Sequence, residues 1–152
     1  MPTERTDLTV FAKDYPEARL VLAVKVAVST PPEQDAAVRQ VARSMWGANC
    51  HYGLVMTPKT SYVLRDDFST TGPEAMRVTD VLSTATLLSR LTWSDGEPTS
   101  EKELRLLARE WLQRLTTSYQ AALPDDPDVM RAFFPDLVGA VAEGRVVAEV
   151  AA

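Results

Sequence analysis

Lys25 stands inside an apolar run, Leu20 to Ser29, which reads L-V-L-A-V-K-V-A-V-S. An unpaired ammonium in apolar surroundings is costly, so this lysine needs a partner or a mouth to water. Side chains on a strand alternate between two faces. Leu20, Leu22, Val24, Val26 and Val28 then point one way, and Val21, Ala23, Lys25 and Ala27 the other. The second face is smaller and carries the charge, which is how a site on a sheet looks. The simpler reading is a lysine at a strand end that reaches water along its own stem.

The strand before it supplies an acid. Leu8 to Ala12 alternates, with Leu8, Val10 and Ala12 on one face and Asp7, Thr9 and Phe11 on the other. Asp14-Tyr15-Pro16-Glu17 is turn chemistry, so the two strands read as a hairpin. Bulky residues share a face when Leu8 and Val10 lie with Leu22 and Val24. A loop centred on Tyr15 then sets Asp7 opposite Ala23, on the face of Lys25. A slip of one residue would turn the carboxylate into the core, where it is expensive. The apolar pattern alone thus gathers Asp7, Ala23 and Lys25.

The remaining elements follow from the same rules. Thr30-Pro31-Pro32 stops the strand and opens a helix from about Pro32 to Trp46, with Gly47 as its cap. Val38, Val41, Ala42 and Met45 form its apolar face, and Arg39 and Arg43 lie one turn apart on the other side. His51 to Thr57, the Pro58-Lys59 turn and Ser61 to Arg65 read as a second hairpin. After a loop from Asp66 to Glu74, Ala75 to Val81 suits a strand, with Ser83 or Thr84 capping a short helix to Leu91; a single helix over 79–91 competes with this. Ser94 to Thr99 is linker-like. Ser100 and Glu103 form a capping box for the clearest helix, whose stripe is Leu104, Leu107, Ala108, Trp111, Leu112, Leu115 and Tyr119. Glu101 with Arg105, and Glu110 with Arg114, support it. Pro124 to Asp128 ends it, a short helix near 129–142 follows, and Arg145 to Val150 is a last strand.

Composition narrows the class. A chain of 152 residues is expected to be one domain with a real core. No run approaches a membrane span and the polar stretch Met1 to Thr6 is not a secretion signal, so the expected address is the cytoplasm. The lone Cys50 makes no internal disulfide and is expected as a reduced, buried thiol. A net charge of −5 argues against a general nucleic-acid coat. Up to Arg65 there are eight basic residues against six acids, and from Asp66 onward eight against fifteen. A polyanion would therefore meet the first half.

An acid at a hairpin start, a strand ending near a lysine, a helix and a second hairpin resemble the core of the PD-(D/E)XK nucleases. The chain is most similar to small restriction-endonuclease-type domains related to the N-terminal part of type I restriction subunits. The matching stretches are Asp7-Leu8-Thr9-Val10, Leu20 to Val26, and H-Y-G-L-V-M-T-P-K-T-S-Y-V-L-R-D at 51–66. The resemblance implies an α/β, restriction-endonuclease-like fold, a mixed sheet flanked by helices. Residues 7–66 would be the nuclease-like core and 67–152 a helical elaboration with a C-terminal strand. The family usually has a helix and a strand before the first acid; here the long helix and the last strand are expected to supply that layer.

In that family two acids hold one or two divalent cations, Mg²⁺ or Mn²⁺, and a lysine positions or activates a water at the phosphodiester. Asp7 matches the first ligand and Lys25 the lysine, but the second ligand position is Ala23. Three readings fit: a natural pseudonuclease; an acid supplied from Glu33 or Asp35, with Gln40 available to orient a water; or a deliberate Glu→Ala change at position 23. The resemblance further implies a role in bacterial defence, with DNA, a second copy of the chain or a larger defence system as partners. DNA would lie across Lys25, Arg39, Arg43 and Lys59. The function the resemblance implies is a metal-dependent DNA endonuclease-type domain, inactive or weakened because Ala23 replaces the metal-binding acid; the alternative is a silent domain that serves in nucleic-acid or protein binding or assembly.

Other residues read as structural. His51 opens a strand and Cys50 lacks an adjacent base. Pro135-Asp136 has no acid-x-Lys after it, and Asp125, Asp126 and Asp128 lack the glycine and glutamate of a calcium loop. Trp111, Phe133 and Phe134 are expected in the core; left exposed, they would mark a dimer surface.

Overall fold

The computed structural model describes residues 7–26, 30–91 and 100–148. The linker-like turn at 94–99, the end of the lysine-bearing run at 27–29 and residues 1–6 lie outside them. The class is α/β, with a six-stranded mixed sheet flanked by helices. The strands, in chain order, are β1 (Leu8–Phe11), β2 (Ala18–Val24), β3 (Tyr52–Met56), β4 (Thr60–Asp66), β5 (Met76–Ser83) and β6 (Arg145–Ala148), and they lie in the order β5-β4-β3-β2-β1-β6. Among the described residues β2 and β3 are the one parallel pair, and the other neighbours are antiparallel. Helix α1 (Pro31–Gly47) makes the crossover between them.

The first hairpin has the expected register: Leu8 pairs with Leu22 and Val10 with Leu20. The run from Leu20 leaves the sheet at Val24, however, so Lys25 stands at a strand end rather than in mid-strand. The two faces of β2 are sorted by size as the alternation requires. Leu20, Leu22 and Val24 join Leu8, Val10, Leu54 and Met56 in the larger core. Val21 and Ala23 join Val55 and Leu64 beneath α1, where Ala37, Val41, Ala42 and Met45 cover them. That layer is thin. A Cβ on Gly53 would stand 2.6 Å from the Met45 sulfur, so only glycine lets α1 lie this close to β3.

Thr30 caps α1 as expected, with Glu33 completing a capping box. At its other end Gly47 is still helical, and the left-handed residue is Asn49, φ 53°. Asparagine tolerates that conformation better than other side chains do.

The larger core is closed by the C-terminal half. Ser83 caps α2 (Thr84–Leu87), as one of the two readings of that region expects. Helix α3 (Glu101–Thr117) buries Leu104, Ala108, Trp111, Leu112 and Leu115, with Ser100 as its cap. It stops before Tyr119, which belongs to α4 (Tyr119–Ala122). The Thr116 and Thr117 hydroxyls both turn back on the Gln113 carbonyl, and the Thr116 carbonyl is taken by the Glu143 N–H. These bonds compete with continuation of the helix. The segment expected as one helix near 129–142 is two, α5 (Pro127–Phe133) and α6 (Asp136–Val141). Pro135 forces Phe134 into extended backbone and divides them.

Arg65 ties these helices to the sheet. Its guanidinium donates to Asp136 at 3.2 Å and to the Ala132 carbonyl, and pairs with Asp80 at 3.4 Å. Asp136 is thereby a structural partner. Trp111 and Phe133 are fully buried and meet edge to face, whereas Phe134 stays partly exposed against Tyr119. Among the described residues no helix is long and apolar enough to cross a membrane.

Candidate functional site

The C-terminal ends of β2 and β3 lie side by side, and Lys25 and Lys59 both follow those ends. The Lys25 N–H donates to the Met56 carbonyl at 3.0 Å, which sets Lys25 beside the turn that carries Lys59. That turn is held firmly. The Thr57 hydroxyl donates to the Thr60 carbonyl at 2.7 Å and accepts the Thr60 N–H at 3.0 Å. From below, the Thr84 hydroxyl donates to the Thr57 carbonyl at 2.7 Å and accepts from Ser61, also at 2.7 Å. The Thr84 N–H bonds the Lys59 carbonyl at 3.1 Å. The Lys59 side chain is exposed and that of Lys25 half-buried. The result is two lysines at one end of the sheet, Lys59 on a firmly bonded turn and Lys25 tied by its N–H to the end of β3.

Asp7 enters the same end at the start of β1. Its N–H bonds the Leu22 carbonyl at 2.9 Å, which places it across from Ala23 as the register requires. Its carboxylate does not meet Lys25. One oxygen accepts the Val24 N–H at 2.7 Å, and the other accepts the Arg105 Nε–H at 3.2 Å. Arg105 belongs to α3, which packs on the larger core. The aspartate therefore turns round the strand end toward the layer opposite α1. Among the described residues no ion pair joins Asp7 to Lys25. Arg105 also leans on Glu101 at 3.8 Å. Sequence reasoning placed Arg105 only as the partner of Glu101. The signal that could have found it is its position next to Leu104 on the helix expected to cover the sheet.

The other expected residues are scattered. Ala23 is 0% exposed, sealed beneath α1. Arg39 and Arg43 are exposed on α1. That helix runs away from the lysines at about 1.5 Å per residue, so the two arginines stand on its outer flank rather than in the cluster. Gln40 is half-buried on the same helix. Glu33 spends its carboxylate on the Thr30 N–H and hydroxyl, and Asp35 is exposed.

These residues do not fit a divalent cation. Magnesium needs carboxylate oxygens with free lone pairs in near-octahedral order. Each Asp7 oxygen accepts one hydrogen bond, one of them from the Arg105 guanidinium, whose charge repels a second cation; position 23 offers a methyl, and Glu33 Oε1 is taken by its cap. Among the described residues no three His, Cys, Asp or Glu side chains converge.

The opposite end of the sheet holds a recess of about 360 Å³ lined by Trp46, Cys50, His51, Asp66 and Phe68 among others. His51 lies 3.3 Å from Asp66 and its ring is 5.1 Å from that of Phe68. The second Asp66 oxygen accepts the Phe68 N–H at 2.8 Å. The carboxylate is thus spent on holding the loop. Cys50 is buried, and burial pushes its thiol up to about 11, the opposite of what a nucleophile needs.

No protein-family model, curated protein or solved structure matches this chain.

Proposed function

We propose that the chain is a restriction-endonuclease-like domain that binds nucleic-acid phosphates without cutting them, a silent counterpart of the PD-(D/E)XK nucleases. The single observation that carries this reading is the state of Asp7. The acid expected to hold a metal has both oxygens bonded within the protein, while Lys25 and Lys59 stand at the same sheet end, Lys59 on a firmly bonded turn. Cleavage needs a nucleophile of lowered pKa and neutralisation of phosphoryl charge, which a metal supplies in that family. Binding needs only cations placed at phosphate spacing. The architecture supports the reading as well: an α-helix joins two parallel strands, and a hairpin stands on each side of that crossover.

The contact surface would run from Lys25 and Lys59 toward Arg39 and Arg43 on α1. The net negative charge of the second half would keep most of its surface away from the polyanion. The test is a duplex DNA of mixed sequence incubated with the chain, with and without Mg²⁺. The expected result is salt-sensitive binding in both conditions and intact DNA in both. Metal-dependent nicking would overturn the silent reading, and binding that ignores salt or survives a Lys25→Gln, Lys59→Gln double variant would overturn the phosphate reading.

A further inference from the structure

We infer that Arg105 is the resident cation of the Asp7 site and a direct phosphate ligand, an inference that rests on the nucleic-acid reading above. In this chain the position that a metal would occupy beside Asp7 is taken by a guanidinium. The carboxylate accepts Nε–H at 3.2 Å, the side edge of the guanidinium. A guanidinium carries five N–H donors, and this bond uses one. Glu101 stands 3.8 Å from a terminal nitrogen, beyond hydrogen-bond length. Donors on the terminal nitrogens therefore remain for an incoming oxyanion.

Asp7 is the positioning residue in this arrangement. It is itself fixed by the Val24 N–H at 2.7 Å, so the plane of the fork is set by the end of β2 rather than by a free side chain. A fork so oriented matches the two oxygens of a phosphate. Arg105 is 39% exposed and Asp7 22%, so the acid faces inward and the cation outward. Lys25 and Lys59 come from the ends of β2 and β3, and Arg105 from the helix on the other layer. Lys25 and Lys59 thus belong to the sheet end that Arg105 reaches through Asp7, where Asp7 and Glu101 offset part of the positive charge. The same geometry disfavours a divalent ion, because the guanidinium already neutralises Asp7 and stands between it and Glu101.

The inference is tested on the whole chain with a mixed-sequence duplex in EDTA, comparing wild type with Arg105→Gln and Arg105→Lys. Losing a charge-assisted contact weakens binding by about tenfold or more. Arg105→Gln should show that loss and a salt slope reduced by about one. Arg105→Lys keeps the charge and loses the fork, so it should keep the slope and bind less tightly; it also carries the test if the glutamine variant does not fold. Mn²⁺ followed by its own resonance spectrum should show no site on the wild-type chain. Stoichiometric Mn²⁺ binding would overturn Arg105 as resident cation. A folded Arg105→Gln with wild-type affinity and slope would overturn it as phosphate ligand and leave the broader reading standing. A wild-type chain that binds no duplex overturns the nucleic-acid reading itself.

Discussion

The hydroxyl of Thr84 donates to the carbonyl of Thr57 across 2.7 Å, joining the start of α2 to the turn that carries Lys59. Thr84 is 1% exposed and its partner Ser61 0%, so water cannot replace these bonds. Thr84→Val keeps the shape and removes the hydroxyl. It strands the Ser61 hydroxyl and the Thr57 carbonyl, at a cost of about 1–3 kcal/mol. Denaturant unfolding should show that loss, and amide exchange at Thr60 should quicken because the turn loses its floor. Unchanged exchange at Thr60 would mean that the turn holds itself.

The hairpin register was legible because the side-chain period of a strand is two and one face of β2 is bulkier. The helix after Ser83 was legible as one of two readings, because its cap is a local hydrogen bond, but it ends at Leu87 rather than Leu91. The break at Ser118 was not legible: the Thr116 and Thr117 hydroxyls weaken the helix locally, but the bond from Glu143 to the Thr116 carbonyl lies outside any local window. The Asp7 site was half legible. Alternation placed Asp7 opposite Ala23, but the partner of its carboxylate lies 98 positions away in the chain. Periodicity says which face a residue occupies. At a strand end the side chain is free to leave that face, and the choice falls to whichever donor the next layer brings.

Cys50 gives the fold a specific alkaline weakness. Burial raises its thiol from 9.0 to about 11. Between those values the unfolded chain has lost the proton and the folded chain keeps it. Stability from this group is full below pH 9 and declines as pH rises toward 11, by an amount on the order of 2–3 kcal/mol. Cys50→Ala should flatten that part of the stability curve. The native thiol should also resist a thiol reagent at pH 8 until denaturant is added. Rapid labelling of the folded protein would show that the recess opens to Cys50.

Ala23→Glu would supply the second acid that the proposed nuclease likeness calls for, and the structure sets a clear expectation for it. Ala23 is 0% exposed and shares its core with Val21, Val41 and Val55, under a helix held close by Gly53. A glutamate there must displace packed side chains and bury a carboxyl. Overpacking alone costs about 1–3 kcal/mol, and an unpaired buried charge costs more. Its carboxyl is driven toward the neutral form, so the deficit should widen as pH rises above about 4. Arg105 is committed to Asp7 from the other layer and cannot pair with it without giving up that bond. The variant is therefore expected to unfold at distinctly lower denaturant than wild type, and Mn²⁺ should not recover the difference. A metal that bound this variant would stabilise the folded state in proportion to the logarithm of its concentration. A midpoint that climbs with Mn²⁺ in Ala23→Glu, and not in wild type, would show that α1 yields and that the chain is one residue from a metal centre. That outcome would return the nuclease reading to first place.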